Sequence, residues 1–256
     1  MSTTLGWIRQ FHTPESPSAP PLVICPHAGT GASAYRAFSE HFSRYFDVVA
    51  LQYPGRQDRV GEPAAASVEE LAEEALAEFA ESPHNRGQGV TVFGHSMGGI
   101  VAFEFVRAAE SAGIPVRLLA VSAVVPPGRQ DEQAPHPDDE DDILDRLVEL
   151  GGTGAEILGS RDIMRMAIPA LKADYRIIDT YSCADDETVD APVSALGGDD
   201  DPIVTVGDLY GWEAHTTAGV SVSLFGGGHF YLNDNMESIA ELLASPDGVD
   251  VPVISR

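Results

Sequence analysis

The amino-acid sequence predicts an α/β fold in which helices flank a mostly parallel central sheet, and three observations support this. Short apolar runs alternate with longer runs of helical spacing along most of the chain. The short apolar runs suit strands that are buried in a mostly parallel sheet. One of them ends at Gly94 and continues through a serine corner into a helix-like run. The chain has 256 residues, of which 43% are hydrophobic, and this is enough for one sizeable core.

The predicted strands are short apolar runs. They cover residues 7–11, 21–26, 47–54, 89–94, 116–125, 192–198 and 220–228. The predicted helices of the core carry apolar residues three or four positions apart. They cover residues 32–43, 67–82 and 100–113. The second of these helices is marked at its start by Ser67 and Glu70, which form the S-x-x-E capping pattern.

The alternation of strands and helices is interrupted in the second half of the chain. A polar, turn-rich stretch is followed by two helix-like runs, 141–152 and 162–181, with no strand between them. We therefore expect residues 129–184 to form a helical insertion in a core made of residues 1–128 and 185–256. Ordinary helix packing explains part of its apolar surface, and a cap over an active site is the functional interpretation. On that interpretation Leu144, Met164 and Leu171 contact the substrate.

The serine corner lies between a predicted strand and a predicted helix. Gly94-x-Ser96-x-Gly98 in this setting is typical of the nucleophile elbow of α/β-hydrolases. The turn is so tight that side chains two positions from the serine would clash, which requires glycine there. Ser96 is therefore the predicted nucleophile, and the N–H of Met97, at the start of the helix, is a predicted oxyanion donor.

A serine nucleophile needs a base, and the chain order of this fold is nucleophile, acid, histidine. His229 follows the last predicted strand and is the predicted base, whereas His95 adjoins the serine and is expected to point away from it. The acid is expected after the preceding strand, in Asp199-Asp200-Asp201. We choose Asp201, with Asp200 as the next candidate and Asp131 as a more distant one.

The second oxyanion donor is expected in the loop after an early strand. The stretch from Val23 to Phe38 offers a strand, a turn rich in small residues and then a helix. Ala28 N–H is the candidate donor, and His27 N–H is the next. A phosphate-binding loop is disfavoured, because the turn lacks both the Lys-Ser/Thr ending and the G-x-G-x-x-G spacing.

Composition limits the other classes of function. The net charge of −25 disfavours binding to nucleic acid or to an anionic membrane, since both need a basic surface. No apolar run is long enough for a membrane span, and the N-terminus does not look like a secretory signal, so we expect a cytoplasmic protein. Cys25 and Cys183 lack the spacing of a metal site or disulfide framework, and we expect both to be unpaired thiols.

Several segments together resemble the type II thioesterases, the separate editing enzymes that accompany polyketide synthases and nonribosomal peptide synthetases. The matching segments lie at 25–38, 51–59, 93–99, 150–158, 168–181, 197–204, 211–216 and 227–232. LQYPGR and GGHFYL are fairly specific to that family, whereas GHSMGG is common among hydrolases. The resemblance implies an α/β-hydrolase fold with a helical lid and a triad at Ser96, His229 and Asp201.

The resemblance also implies the substrate and the partner. Such enzymes hydrolyse acyl thioesters on the phosphopantetheine arm of acyl or peptidyl carrier proteins and clear stalled or misprimed units. It implies no cofactor and no metal of the enzyme's own, and we expect a monomer. Carrier proteins are acidic, as this chain is, so we hypothesise that local basic residues offset the repulsion. The candidates are Arg56, Arg59, Arg161 and Arg165.

Two other functions are compatible with the same residues. A general esterase, lipase or acyltransferase acting on free small molecules would use the same triad. A hydrolase-like binding protein without catalysis is disfavoured by the presence of all three triad residue types.

Overall fold

The computed structural model describes residues 6–151 and 161–245, and within this part the side chains of 161–164 and 166 are left undescribed. The central sheet has seven strands in the order β1-β3-β2-β4-β5-β6-β7. Only β1 is antiparallel to its neighbour, so the predicted, mostly parallel sheet is confirmed. The strands are β1 Ile8–Arg9, β2 Pro21–Cys25, β3 Asp47–Leu51, β4 Val90–His95, β5 Val116–Ser122, β6 Val193–Gly198 and β7 Val220–Phe225. Each lies within or very near a predicted strand.

Strands β2, β3, β4 and β6 are buried at every residue, which explains why these runs are mostly apolar. In β2, Val23 and Cys25 face one hydrophobic cluster, whereas Leu22 and Ile24 face the other. Helices cover each face. They are α1 Arg36–Phe42, α2 Val68–Glu81, α3 Met97–Ser111, α4 Glu140–Glu149, α5 Arg161–Asp179, α6 Val206–Gly211 and α7 Met236–Ala244. The apolar sides of α2 and α3 belong to the first cluster and those of α1 and α7 to the second.

The start of α2 confirms half of the predicted capping pattern. Ser67 Oγ accepts a hydrogen bond from the Glu70 N–H at 3.1 Å. The Glu70 carboxylate reaches one residue further back than a capping box requires and accepts from the Ala66 N–H at 2.5 Å. The helix therefore begins where the sequence places it.

The two helices of the predicted insertion, α4 and α5, both lie between β5 and β6 in the chain, and no strand interrupts them in the described residues. They pack on each other through a small hydrophobic cluster that includes Ile143, Leu144 and Ile168. Short α7 was missed in the sequence, because its nine residues follow a glycine-rich loop without a side-chain cap.

The turn between β4 and α3 brings three backbones very close together. A Cβ on Gly94 would lie 1.9 Å from Gly98 O, and a Cβ on Gly98 would lie 2.1 Å from Cys25 O. Contacts of this kind cannot be relieved by a side-chain rotation, since the atoms belong to the backbone. Ser96, between the glycines, has φ 52° and ψ −127°, in the region that L-residues rarely adopt.

We expect Gly98→Ala to destabilise the protein by about 3 kcal/mol, because the new methyl group forces α3 away from β2. The measurement is the free energy of unfolding from denaturant titration. Gly61→Ala is the matched control, since Gly61 has no atom within 4 Å of a Cβ position and no positive φ. An unchanged stability of Gly98→Ala would contradict the close approach described here.

Candidate active site

Ser96 lies at the carboxyl end of β4 and opens onto a cavity of about 370 Å³. Its N–H donates to Ser122 O at 2.8 Å, and its own carbonyl accepts from Gly99 N–H at 2.8 Å, so the backbone of the strained residue is fixed on both sides. His229, from the loop after β7, lines the same cavity. The structure therefore brings together two predicted residues that are 133 positions apart (229 − 96).

No hydrogen bond joins Ser96 to His229, and both residues are fully described. Catalytic hydrogen bonds are often long or poorly aligned in free enzymes and tighten when substrate binds. The arrangement thus places the two groups at the wall of one cavity.

The Asp201 carboxylate holds the imidazole of His229 in place. His229 Nδ1 and Asp201 Oδ2 are 2.9 Å apart, and the exposed fractions of their side chains are 4% and 0%. Asp201 Oδ1 also accepts from the N–H groups of Ile203 at 2.8 Å and Val204 at 3.3 Å. Burial alone would raise the pKa of Asp201, but the bond to His229, the charge of that ring and the two N–H groups outweigh it and lower the pKa.

The other candidate acids lie elsewhere. Asp199 Oδ1 accepts from Gly227 N–H at 2.9 Å, which ties two loops together at the protein surface. Asp200 and Asp131 are exposed. Of the four carboxylates considered from the sequence, Asp201 is the one that contacts the His229 ring.

Two aromatic rings pack against the ring of His229, and the sequence did not predict this packing. His95 is fully buried with its ring centroid 5.1 Å from that of His229, and the ring centroid of Phe230 is 5.2 Å away. Burial and the neighbouring imidazoles lower the pKa of His95 well below its usual range, and burial with the charge of His229 lowers the pKa of His27 to about 3. Both rings are therefore neutral near pH 7, and their lowered pKa values make them poor proton acceptors.

His95 does point away from the cavity, as expected for a residue next to a nucleophile at a sharp turn. Its Nδ1 lies 2.9 Å from Ser122 Oγ, which is in turn 2.7 Å from the Tyr231 hydroxyl. This buried chain connects the turn after β4, the end of β5 and the loop after β7. It fixes the relative positions of the segments that carry Ser96 and His229.

The two predicted oxyanion donors, Met97 and Ala28, both line the cavity beside Ser96. Met97 is the first residue of α3, where an N–H has no partner within the helix. Neighbours of Ala28 use their N–H groups within the protein: His27 donates to the Tyr35 hydroxyl at 3.3 Å and Gly29 to Asp174 Oδ2 at 2.7 Å. The Ala28 N–H has no acceptor among the described residues, which favours it over His27.

The expected substrate contacts of the insertion need correction. Leu144 and Leu171 are 0% and 3% exposed and lie in the cluster between α4 and α5, outside the cavity wall. Their apolar side chains hold α4 and α5 together. The Met164 side chain lies outside the described ones.

Other residues of the insertion form the cavity wall, and many of them are polar. They are Gln130, Gln133, Ala134, Pro135, His136, Pro137, Arg146, Tyr175, Ile178 and Asp179. His136 Nδ1 lies 2.5 Å from Asp179 Oδ1, and its ring stacks on Tyr175 with centroids 4.1 Å apart. The sequence offered no signal for this wall, because it arises from a loop, α4 and one face of α5, which meet only in the fold.

The hypothesis of a basic docking surface is wrong for two of its four residues. Arg56 and Arg59 are 5% and 4% exposed, and they form ion pairs with Asp174 and Glu62. Arg165 is exposed, and the side chain of Arg161 is not among the described ones.

Within the described residues there is no group of three His, Cys, Asp or Glu side chains that could hold a metal ion. No helix of that part of the chain is long and apolar enough to cross a membrane.

Known proteins share both the sequence and the fold. Thioesterase PikA5 of Streptomyces venezuelae is 38% identical over 234 residues, which are 91% of this chain and 82% of that protein. Phenyloxazoline synthase MbtB of Mycobacterium tuberculosis is 38% identical over 240 residues, and this chain spans 17% of its length. The structure of the type II thioesterase BorB from the borrelidin biosynthetic cluster has a TM-score of 0.81 and 36% identity, and the match covers 94% of this chain and 98% of that one.

The relatives of this chain therefore include thioesterases. The chain combines that similarity with the sheet order, the turn at Ser96 and the cavity next to it. The thioesterase domain family matches the sequence over residues 20–245, a range that contains every strand of the sheet except β1. This chain belongs to the thioesterase domain family.

Proposed function

We propose that this protein hydrolyses acyl thioesters held on the phosphopantetheine arm of acyl or peptidyl carrier proteins, and that it removes stalled or misprimed units in polyketide or nonribosomal peptide biosynthesis. The observation that carries the proposal is the cavity in which Ser96 and the His229–Asp201 pair meet beneath α5. Family membership and the likeness to BorB and PikA5 favour a thioester as the substrate.

The proposed reaction begins when the acyl-pantetheine arm enters the cavity. Asp201 holds Nδ1 of His229, so Nε2 is free to take the proton of Ser96 as the hydroxyl attacks the thioester carbonyl. The N–H groups of Met97 and Ala28 stabilise the oxyanion of the tetrahedral intermediate. The thiol then leaves with the proton from His229, and an acyl-serine remains.

Water completes the cycle. His229 takes a proton from a water molecule, the hydroxide attacks the acyl-serine, and the acid leaves as Ser96 regains its proton. The positive charge that develops twice on His229 is stabilised by Asp201, whose lowered pKa keeps it ionised. In this scheme the pantetheine belongs to the partner, and the enzyme supplies no cofactor of its own.

The insertion is proposed to act as the lid of this site and to select the acyl group. Its loop, α4 and α5 line the cavity beside Ser96, and they supply polar groups such as Gln133, His136 and Arg146. The cavity of about 370 Å³ is lined by both apolar and polar groups, and the acyl group is proposed to bind there in contact with the insertion.

Replacing the nucleophile tests the proposal directly. We expect Ser96→Ala to lower kcat for an acyl-loaded carrier protein by a factor on the order of 10⁶, since no other group in the scheme can form the acyl-enzyme. Release of the free acid is followed by mass spectrometry of the carrier protein. Retention of most of the activity would exclude the serine mechanism.

The same assay separates the alternatives when a matched soluble ester is run beside the carrier protein. A general esterase or acyltransferase would have the higher kcat/KM on the free ester. A binding protein without catalysis would show no turnover and no labelling of Ser96 by a fluorophosphonate. Neither result is compatible with a carrier-dependent thioesterase.

Asparagine at position 201 tests the acid. Asp201→Asn keeps the shape of the side chain but favours the wrong tautomer of His229, so we expect kcat to fall about 10⁴-fold with KM little changed. Asp200→Asn is the matched control, because this neighbour is exposed and has the same charge. Equal activity of the two variants would show that Asp201 is not the triad acid.

A further inference from the structure

A buried ion pair joins the insertion to the core, away from the proposed triad. Arg56 follows β3 and Asp174 lies on α5, and their side chains are 5% and 2% exposed. The contact is bidentate, with Nη1–Oδ2 at 2.5 Å and Nη2–Oδ1 at 2.6 Å. Removing two charges from water offsets most of the attraction between them, so a pair of this kind is a poor source of stability alone. Its position suggests another role.

Both partners of the pair also hold the loop after β2. Asp174 Oδ2 accepts a hydrogen bond from Gly29 N–H at 2.7 Å, and Arg56 Nη1 donates to Thr30 O at 3.1 Å. Gly29 has φ +76°, and Leu171 of α5 packs directly on it, 3.0 Å from where a Cβ would lie. The backbone of this loop is therefore clamped by one helix of the insertion.

The residue before Gly29 is Ala28, which lines the cavity next to Ser96. On its other side, His27 N–H donates to the Tyr35 hydroxyl at 3.3 Å. Thr30 N–H donates back to His27 O at 3.3 Å. Three of the four successive N–H groups in residues 27–30 donate to acceptors within the protein. The fourth, that of Ala28, has no acceptor among the described residues and is therefore available to a ligand.

We propose that Asp174, together with Arg56, is a positioning residue for the oxyanion hole: the pair fixes residues 27–30 so that the Ala28 N–H is held beside the reacting carbonyl. This rests on the proposed function, in which that N–H stabilises the tetrahedral intermediate. Loss of one oxyanion donor lowers kcat by about 10²–10³, and a displacement of about 1 Å is enough for a 10²-fold loss. Asp174 acts through the loop and does not touch the acyl group.

The test is Asp174→Asn, which keeps the size of the side chain. The amide has one oxygen that accepts hydrogen bonds and one nitrogen that only donates, so it cannot replace both carboxylate oxygens as acceptors for Arg56 and Gly29. We expect kcat on an acyl carrier protein and the rate of fluorophosphonate labelling at Ser96 to fall about 10²-fold, with KM within twofold of the wild type. Affinity for a trifluoromethyl ketone, whose hemiketal oxyanion occupies the hole, should fall by the same factor.

Arg56→Lys is the second variant, in case Asp174→Asn folds poorly. It keeps the charge but loses the planar fork, so it cannot reproduce the bidentate contact with both carboxylate oxygens of Asp174. A smaller loss of kcat, about tenfold, is expected. Glu62→Gln is the matched control: it breaks the adjacent Arg59–Glu62 ion pair, with Nη2–Oε2 at 2.6 Å, without touching residues 27–30, and it should leave kcat unchanged.

Wild-type labelling rates in both Asp174→Asn and Arg56→Lys would overturn the inference. A raised KM with unchanged kcat would also overturn it, since that result assigns the pair to substrate binding by the insertion. Labelling needs no carrier protein, so it separates this inference from the proposed substrate. If wild type is labelled but does not act on carriers, the substrate class is wrong and the labelling rates still decide the role of Asp174.

Discussion

The site depends on one tight turn, in which a strand reverses into a helix around Ser96. The turn holds the serine at φ 52°, a conformation that costs about 1–3 kcal/mol and persists only when its surroundings leave no alternative. Gly94 and Gly98 allow β4, α3 and β2 to approach within distances that no side chain permits. Hydrogen bonds from and to the Ser96 backbone hold the corner in place. The remaining parts of the site are arranged around this fixed point.

Parallel strand order explains how distant residues reach the turn. Because β2, β4, β5, β6 and β7 all run in one direction, the loops at their carboxyl ends meet at a single edge of the sheet. The loop after β2 brings Ala28, that after β6 brings Asp201, and that after β7 brings His229. The buried chain from His95 through Ser122 to Tyr231 connects the same edge from inside. The parallel sheet alone thus brings the site residues close together, and each loop needs only the right residue near its start.

This explains which features could be predicted from the sequence. The central strands could be identified, because burial on both faces leaves mostly apolar runs. Gly94 and Gly98 could be interpreted because each marks a backbone contact that leaves no room for a side chain. The choice among three adjacent aspartates depended on which side chain turns toward His229, a matter of loop geometry that the sequence does not encode visibly. Leu144 and Leu171 were misplaced because apolar spacing shows that a helix face is buried but not what covers it. Arg56 resembled a surface cation, since its partner Asp174 lies 118 residues away.

The insertion contacts the core at two places that matter for the site, and both contacts come from α5. Its helix α5 lines the cavity with Tyr175 and Ile178, and on the adjoining turn it presents Asp174 to the loop that carries Ala28. One rigid element therefore contacts the space for the acyl group and the backbone that we propose to stabilise the oxyanion. Asp174 and Tyr175 are adjacent and Ile178 lies one turn further along α5, so the hydrogen bonds of the same part of the helix link their positions. Under our proposal, a movement of this part of α5 away from the cavity would also alter the clamp on residues 27–30, because Asp174 accepts from the Gly29 N–H. The wall of the cavity and the position of the Ala28 N–H would then depend on the same helix.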